Sequence, residues 1–96
     1  MTQQPGGRPQ PGILVLGRDT CSDTIRSRAH LVARELVFRY LKVDEDAVAD
    51  AWIRRLNGGV WVTPTILIGD PENPSRIIRE PSDEELDAAI DEVAGG

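Results

Sequence analysis

The chain has 96 residues, 40% of them hydrophobic and 28% charged, which bounds it to one small domain of ordinary soluble balance. A net charge of -5 and a pI near 4.7 speak against a nucleic-acid partner. A lone cysteine, Cys21, excludes an internal disulfide framework and a multi-cysteine zinc site; no apolar run reaches the roughly 18–20 residues of a membrane span, and no signal-peptide order opens the chain. The expected setting is a reducing one, the cytoplasm, away from membranes.

Residues 1–12 hold three Pro, three Gly and three Gln and no apolar run, so a disordered tail is expected there, with the folded domain over 13–94. Ile13–Leu16 lacks alternation and predicts a strand buried on both faces. Ile25, Ala29, Val32, Ala33 and Leu36 recur at spacings of three and four, which predicts a helix with that stripe inward and His30 on the surface. Ser22, Asp23 and Thr24 favour helix N-termini and place its start at or just after Cys21. Phe38–Val43 is rich in aromatic and β-branched residues and predicts a second strand.

Asp44-Glu45-Asp46 puts negative charge at the start of a second helix, with Val48, Ala51, Trp52 and Leu56 as its expected buried face. Asn57-Gly58-Gly59 ends it. Thr65–Ile68 and Arg76–Arg79 are two short strands, and the turn-rich Gly69–Pro74 between them permits only an antiparallel hairpin. Ser82 with Glu85 forms a capping box, Pro81 and Leu86 a hydrophobic staple, and Leu86, Ala89, Ile90 and Val93 an apolar stripe. No basic residue follows Arg79, so this last helix is expected to be acidic and solvated. The order is βαβαββα: an α/β domain with a four-stranded mixed sheet flanked by three helices, the first two strands parallel.

Three features carry chemistry. Cys21 lies between a buried strand and a helix N-terminus, where free N–H groups and partial positive charge lower a thiol pKa. Nearby Arg would help, and Asp19 and Asp23 would oppose. Thr63-Pro64 immediately precedes a strand, and a cis bond there would present the Thr63 backbone to a ligand. The capped helix start at Ser82-Asp83 offers N–H groups to a carboxylate. Trp61 suits either the core or a wall of the same groove.

In this order and spacing, Arg18-Asp19-Thr20-Cys21, Asn57-Gly58-Gly59, Thr63-Pro64-Thr65 and Glu80-Pro81-Ser82-Asp83-Glu84-Glu85-Leu86 resemble glutaredoxin-like proteins of the thioredoxin fold, and among those the mycoredoxins. The resemblance implies that Cys21 is the nucleophile. It implies that Arg18, Thr63, Pro64, Ser82 and Asp83 hold a low-molecular-weight thiol, glutathione or mycothiol, as co-substrate. Where such proteins usually carry Cys-x-x-Cys, this chain has Cys21-Ser22-Asp23-Thr24. Thr24 replaces the resolving cysteine, which excludes a dithiol cycle and leaves a monothiol one, with the Thr24 hydroxyl able to support the thiolate. The run is a poor match to the Cys-Gly-Phe-Ser of cluster-sharing members, so no metal and no bound cofactor is expected. The implied activity is reduction of mixed disulfides between client proteins and the small thiol, by a monomer. The alternative is a redox-inactive thioredoxin-fold binding module that lost its resolving cysteine.

Overall fold

The central strand β1 (Ile13–Gly17) is buried along its whole length because both faces of the sheet are covered. The computed structural model describes residues 10–95. The elements follow as α1 (Ser22–Ala33), β2 (Arg39–Lys42), α2 (Ala47–Leu56), β3 (Thr65–Asp70), β4 (Asn73–Arg79) and α3 (Asp83–Gly95). The four strands lie in the order β2-β1-β3-β4, with β1 parallel to β2 and antiparallel to β3, and β4 antiparallel to β3. The expected βαβαββα arrangement is therefore present.

Two cores sit on the two faces. On one, Ile13 and Val15 of β1, Ile66 and Ile68 of β3, and Ile78 of β4 meet Leu31 of α1 and Leu86, Ala89 and Ile90 of α3. On the other, Leu14, Leu16 and Leu67 meet Val43 and α2, through Ala49 and Ile53, with Trp52, Leu56 and Trp61 packed at the margin. Each strand residue thus finds an apolar neighbour whichever way it points, which is why β1 and β3 read as unbroken apolar runs.

Several elements differ from expectation. The α1 stripe faces outward: Ile25 is 51% and Val32 65% exposed, while Thr24, Ser27 and Leu31 form the buried face. Periodicity marks a stripe but not its direction. The inward side here is chosen by close packing on β1, where small Thr24 and Ser27 fit. In α2 the buried pair is Ala49 and Ile53, Trp52 and Leu56 are half-buried, and Val48 and Ala51 are exposed. The hairpin is tighter than the six-residue turn implied. Asp70 pairs with Asn73 across Pro71-Glu72, and Pro74 lies within the edge strand, where its missing N–H costs no ladder bond. A bulge between Ile68 and Gly69 absorbs the irregularity, with Gly69 at φ +104°. At the other end, residues 1–9 of the expected tail lie outside the described residues. Gln10 is joined to the backbone of Val37, donating to its carbonyl at 2.7 Å and accepting from its N–H at 2.8 Å.

Candidate thiol site at the start of the first helix

Cys21 is the N-cap residue of α1, in extended conformation at φ -92° and ψ 120°. Unlike Ser, Asp or Asn, its side chain makes no capping bond, so the first N–H groups of the helix stay available beside the sulfur. The thiol is half-buried and donates to the Thr63 carbonyl at 3.3 Å. The Thr63–Pro64 bond is cis. Thr24, one turn on, is fully buried, and its Oγ1 has no partner while the Sγ–H is turned to Thr63. Ionisation gives that hydroxyl an acceptor.

Burial pushes the Cys21 thiol up. Hydrogen bonds from the Thr24 and Thr63 side chains and from the backbone N–H groups of Thr24 and Asp23 outweigh burial, and the pKa lies below that of a free thiol. Charged side chains are not among these largest influences, contrary to the expected contest between Arg and Asp. The reason is geometric. Asp23 is turned into an ion pair with Arg26 at 2.8 Å. Asp19 is held by the Tyr40 hydroxyl at 2.7 Å and by Lys42 at 3.2 Å.

The other residues singled out in the sequence surround this centre. Pro64 is buried, and its carbonyl accepts from Glu80 N–H at 2.9 Å, which ties the Thr63-Pro64 segment to the lead-in of α3. Ser82 caps α3 as expected: its Oγ accepts from Glu85 N–H at 3.1 Å and its N–H donates to Glu85 Oε1 at 2.8 Å. Asp83 stands 3.7 Å from Arg26 Nε and 3.6 Å from His30 Nδ1. The last helix is thus not simply solvated. His30 and Arg34 both reach Asp87, at 2.8 and 2.7 Å, so α1 and α3 are joined by a row of hydrogen bonds and ion pairs. His30 lies in that row and away from the sulfur. Arg18 accepts the Cys21 N–H on its carbonyl at 3.2 Å, but its guanidinium lies over the Trp61 ring, 5.6 Å from the centroid.

Two contributors were not legible in the sequence. Gly17, the last residue of β1, gives Thr24 its room: a Cβ there would lie 2.6 Å from Thr24 Oγ1. Arg26 donates to the Pro81 carbonyl at 2.8 Å and so joins the starts of α1 and α3. Its i,i+3 spacing from Asp23 was a readable signal, whereas Pro81, 55 residues on, was not. Among the described residues, no three His, Cys, Asp or Glu side chains cluster as metal ligands, and no helix is long and apolar enough to cross a membrane.

No protein-family model matches the sequence, and a search of curated proteins finds no match. Solved structures do match. The glutaredoxin of Methanosarcina mazei Go1 superposes with a TM-score of 0.65 at 19% identity, over 93% of this chain and 96% of that one. The glutaredoxin of Archaeoglobus fulgidus gives 0.62 at 20% identity, over 79% and 82%. The oxidised thioredoxin of Plasmodium falciparum gives 0.63 at 14% identity, over 88% and 82%. At these identities the likeness speaks for the fold alone: the chain has the thioredoxin/glutaredoxin fold.

Proposed function

We propose that the chain is a monothiol exchange protein that reduces mixed disulfides between client proteins and a low-molecular-weight thiol, glutathione or, as in mycoredoxins, mycothiol. One observation carries the reading. The sulfur of Cys21 sits at an uncapped helix N-terminus, bonded to Thr63 ahead of Pro64, with its pKa held down by hydrogen bonds. A structural cysteine needs none of these.

In the first step the Cys21 thiolate attacks the small thiol's sulfur in the mixed disulfide. The old S–S bond breaks, the client leaves as a thiolate that takes up a proton, and Cys21 carries the small thiol as a new disulfide. In the second step another small thiol, as its thiolate, attacks that bound sulfur. Its partner departs with it as the symmetric disulfide, and the Cys21 thiolate is regenerated. The net change is that one mixed disulfide and one free small thiol become a client thiol and the symmetric disulfide of the small thiol. Thr24 and the N–H groups of Asp23 and Thr24 stabilise the thiolate as attacker and as leaving group. Thr63 and Pro64 line the place of the ligand's backbone-like portion, and Arg18, Ser82 and Asp83 flank it. The cycle needs no metal or bound cofactor and suits a monomer in a reducing cytoplasm.

Alkylation of Cys21 followed across pH, with turnover of a small mixed disulfide by each thiol in turn, tests the reading. The expected alkylation midpoint lies below the roughly 8.5 of a free thiol. A midpoint at or above that value, with no turnover, would sink the exchange mechanism and favour a redox-inactive binding module.

A further inference from the structure

Asn57 is the C-cap residue of α2, and its side chain reaches three ways. Nδ2 donates to the Ile53 carbonyl at 2.8 Å and to Thr65 Oγ1 at 3.1 Å, while Oδ1 accepts from Arg79 Nε at 2.6 Å. The Arg79 fork also donates to the Leu56 carbonyl at 3.0 Å. A carbonyl only accepts and a guanidinium only donates, so these neighbours leave the amide one orientation, with Nδ2 toward Thr65.

Thr65 follows Pro64 and is fully buried. Its hydroxyl carries a single proton. Because Asn57 Nδ2 donates to that oxygen, the proton is directed to the Val62 carbonyl, at 2.6 Å. The bond spans Thr63 and Pro64, so a side chain closes the turn on which they stand. From the strand on the other side, the N–H of Glu80, next to Arg79, donates to the Pro64 carbonyl at 2.9 Å. The end of α2, the start of β3 and the end of β4 thus converge on the segment that carries Thr63, whose carbonyl accepts the Cys21 S–H at 3.3 Å.

We propose that Asn57 is a positioning residue of the thiol site: acting through the Thr65 hydroxyl, it sets the turn from Val62 to Thr65 so that the Thr63 backbone meets an amide-bearing disulfide already ordered. The inference rests on the exchange reading. When the Thr65 bond is absent, the turn must be ordered as the substrate arrives. That cost falls on a substrate that pairs its own amides with the Thr63 backbone, and spares one that meets only the sulfur. The expected signature is therefore a change of preference between two disulfides, which a general loss of stability does not produce.

The test uses the full chain and two disulfides with the same thionitrobenzoate leaving group, one made with N-acetylcysteine amide and one with 2-mercaptoethanol, which has no amide. Attack of the Cys21 thiolate on the small thiol's sulfur breaks the S–S bond and releases the coloured thionitrobenzoate, so a single turnover reads the first step. Wild type is expected to react faster with the amide disulfide. Thr65→Val, which keeps the shape and loses the hydroxyl, should slow that reaction about 3–10-fold, the worth of one hydrogen bond, and leave the other rate unchanged. Thr65→Ser, which keeps the hydroxyl, should retain the preference. Asn57→Asp keeps an acceptor for Arg79 but gives Thr65 no donor, so the hydroxyl turns to the carboxylate and away from Val62, and the variant should behave as Thr65→Val does. Should Thr65→Val fail to fold, Asn57→Asp decides. An active wild type without the preference, or a preference that survives Asn57→Asp, overturns the inference alone, as does an equal slowing of both disulfides. A wild type that reacts with neither overturns the exchange reading and the inference with it.

Discussion

The two helices whose N-termini flank the Thr63-Pro64 segment are built on opposite plans. The start of α3 satisfies itself: Ser82 and Glu85 exchange backbone-to-side-chain bonds, and Pro81 and Leu86 are buried around them. The start of α1 does not, because the Cys21 side chain at the N-cap accepts no hydrogen bond from the helix N–H groups while it is a thiol. The inner faces differ as well. Leu86, Ala89 and Ile90 of α3 enter the core, while α1 presents Thr24, Ser27 and Leu31. One helix is optimised for stability. The other gives up a cap and an apolar face to bring a sulfur close to Thr63 and to the N–H groups that acidify it, a local concession of the kind stability–function trade-offs predict.

Core packing gives the largest contrast. Leu86→Ala should destabilise the fold by about 2–5 kcal/mol, as a fully buried leucine does. Ile25→Ser, on the outward stripe of α1, should change stability by no more than about 0.5 kcal/mol. Chemical denaturation of both variants checks the pair. If Ile25→Ser costs as much as Leu86→Ala, the α1 stripe is not facing solvent.

The next effect lies where α1 meets β1. A methyl group at position 17 would come within 2.7 Å of both Thr24 Oγ1 and Cγ2. Gly17→Ala should therefore cost about 1–3 kcal/mol by overpacking. It should also raise the Cys21 alkylation midpoint, because the displaced hydroxyl no longer supports the thiolate. Thr24→Val, which has room, should raise the midpoint without the overpacking cost. A midpoint unmoved in both would show that Thr24 does not act on the sulfur.

The same contrast explains what was legible. The capping box, the stripe of α3 and the unbroken runs of β1 and β3 are local signals, each with one reading, and the sheet order follows from them with the handedness of the first crossover. The direction of the α1 stripe is set by neighbours distant in sequence. Its arginines reach an acidic row more than fifty residues away, as Arg34 does to Asp87. No pattern within α1 reports this. At the site, the cysteine at a helix start and Thr63-Pro64 were visible as separate features, and resemblance brought them together. The roles of Gly17 and Arg26 depend on approaches of a few ångström between distant segments. The balance at Cys21 went to hydrogen bonds because Asp19 and Asp23 already had cationic partners, a fact of side-chain geometry.

Capping gives a smaller and opposite pair of effects. Ser82→Ala should cost about 1 kcal/mol by removing the acceptor for Glu85 N–H. Cys21→Ser should do the reverse: a hydroxyl is a good N-cap, and stability is expected to rise by a few tenths of a kcal/mol while exchange is lost. Denaturation at a pH well below the thiol pKa isolates the capping difference. A Cys21→Ser variant less stable than wild type under that condition would mean that the thiol already serves the helix as well as a hydroxyl.

The smallest effect is the pH dependence of the wild-type chain against that variant. The folded thiol pKa is held below the ordinary value of a free thiol, which the unfolded chain is expected to keep. Well below the folded pKa, both states hold the proton and the thiol adds no slope. Between the two values the unfolded state binds more protons, so stability rises with pH, and the gain is complete above the unfolded value. It is lost again as pH falls through the folded pKa. Cys21→Ser lacks this contribution, so its advantage should shrink as pH is raised toward about 8.5. The α1–α3 row responds at the other end of the scale. Burial pushes Asp87 up, but hydrogen bonds from His30 and Arg34 hold its carboxyl below the usual range, so its contribution is lost as pH falls through that depressed value. Wild type and Cys21→Ser should therefore lose stability in parallel in acid and diverge only on the alkaline side. Equal slopes at both ends would mean that the N–H groups of α1 do not favour the thiolate over the thiol.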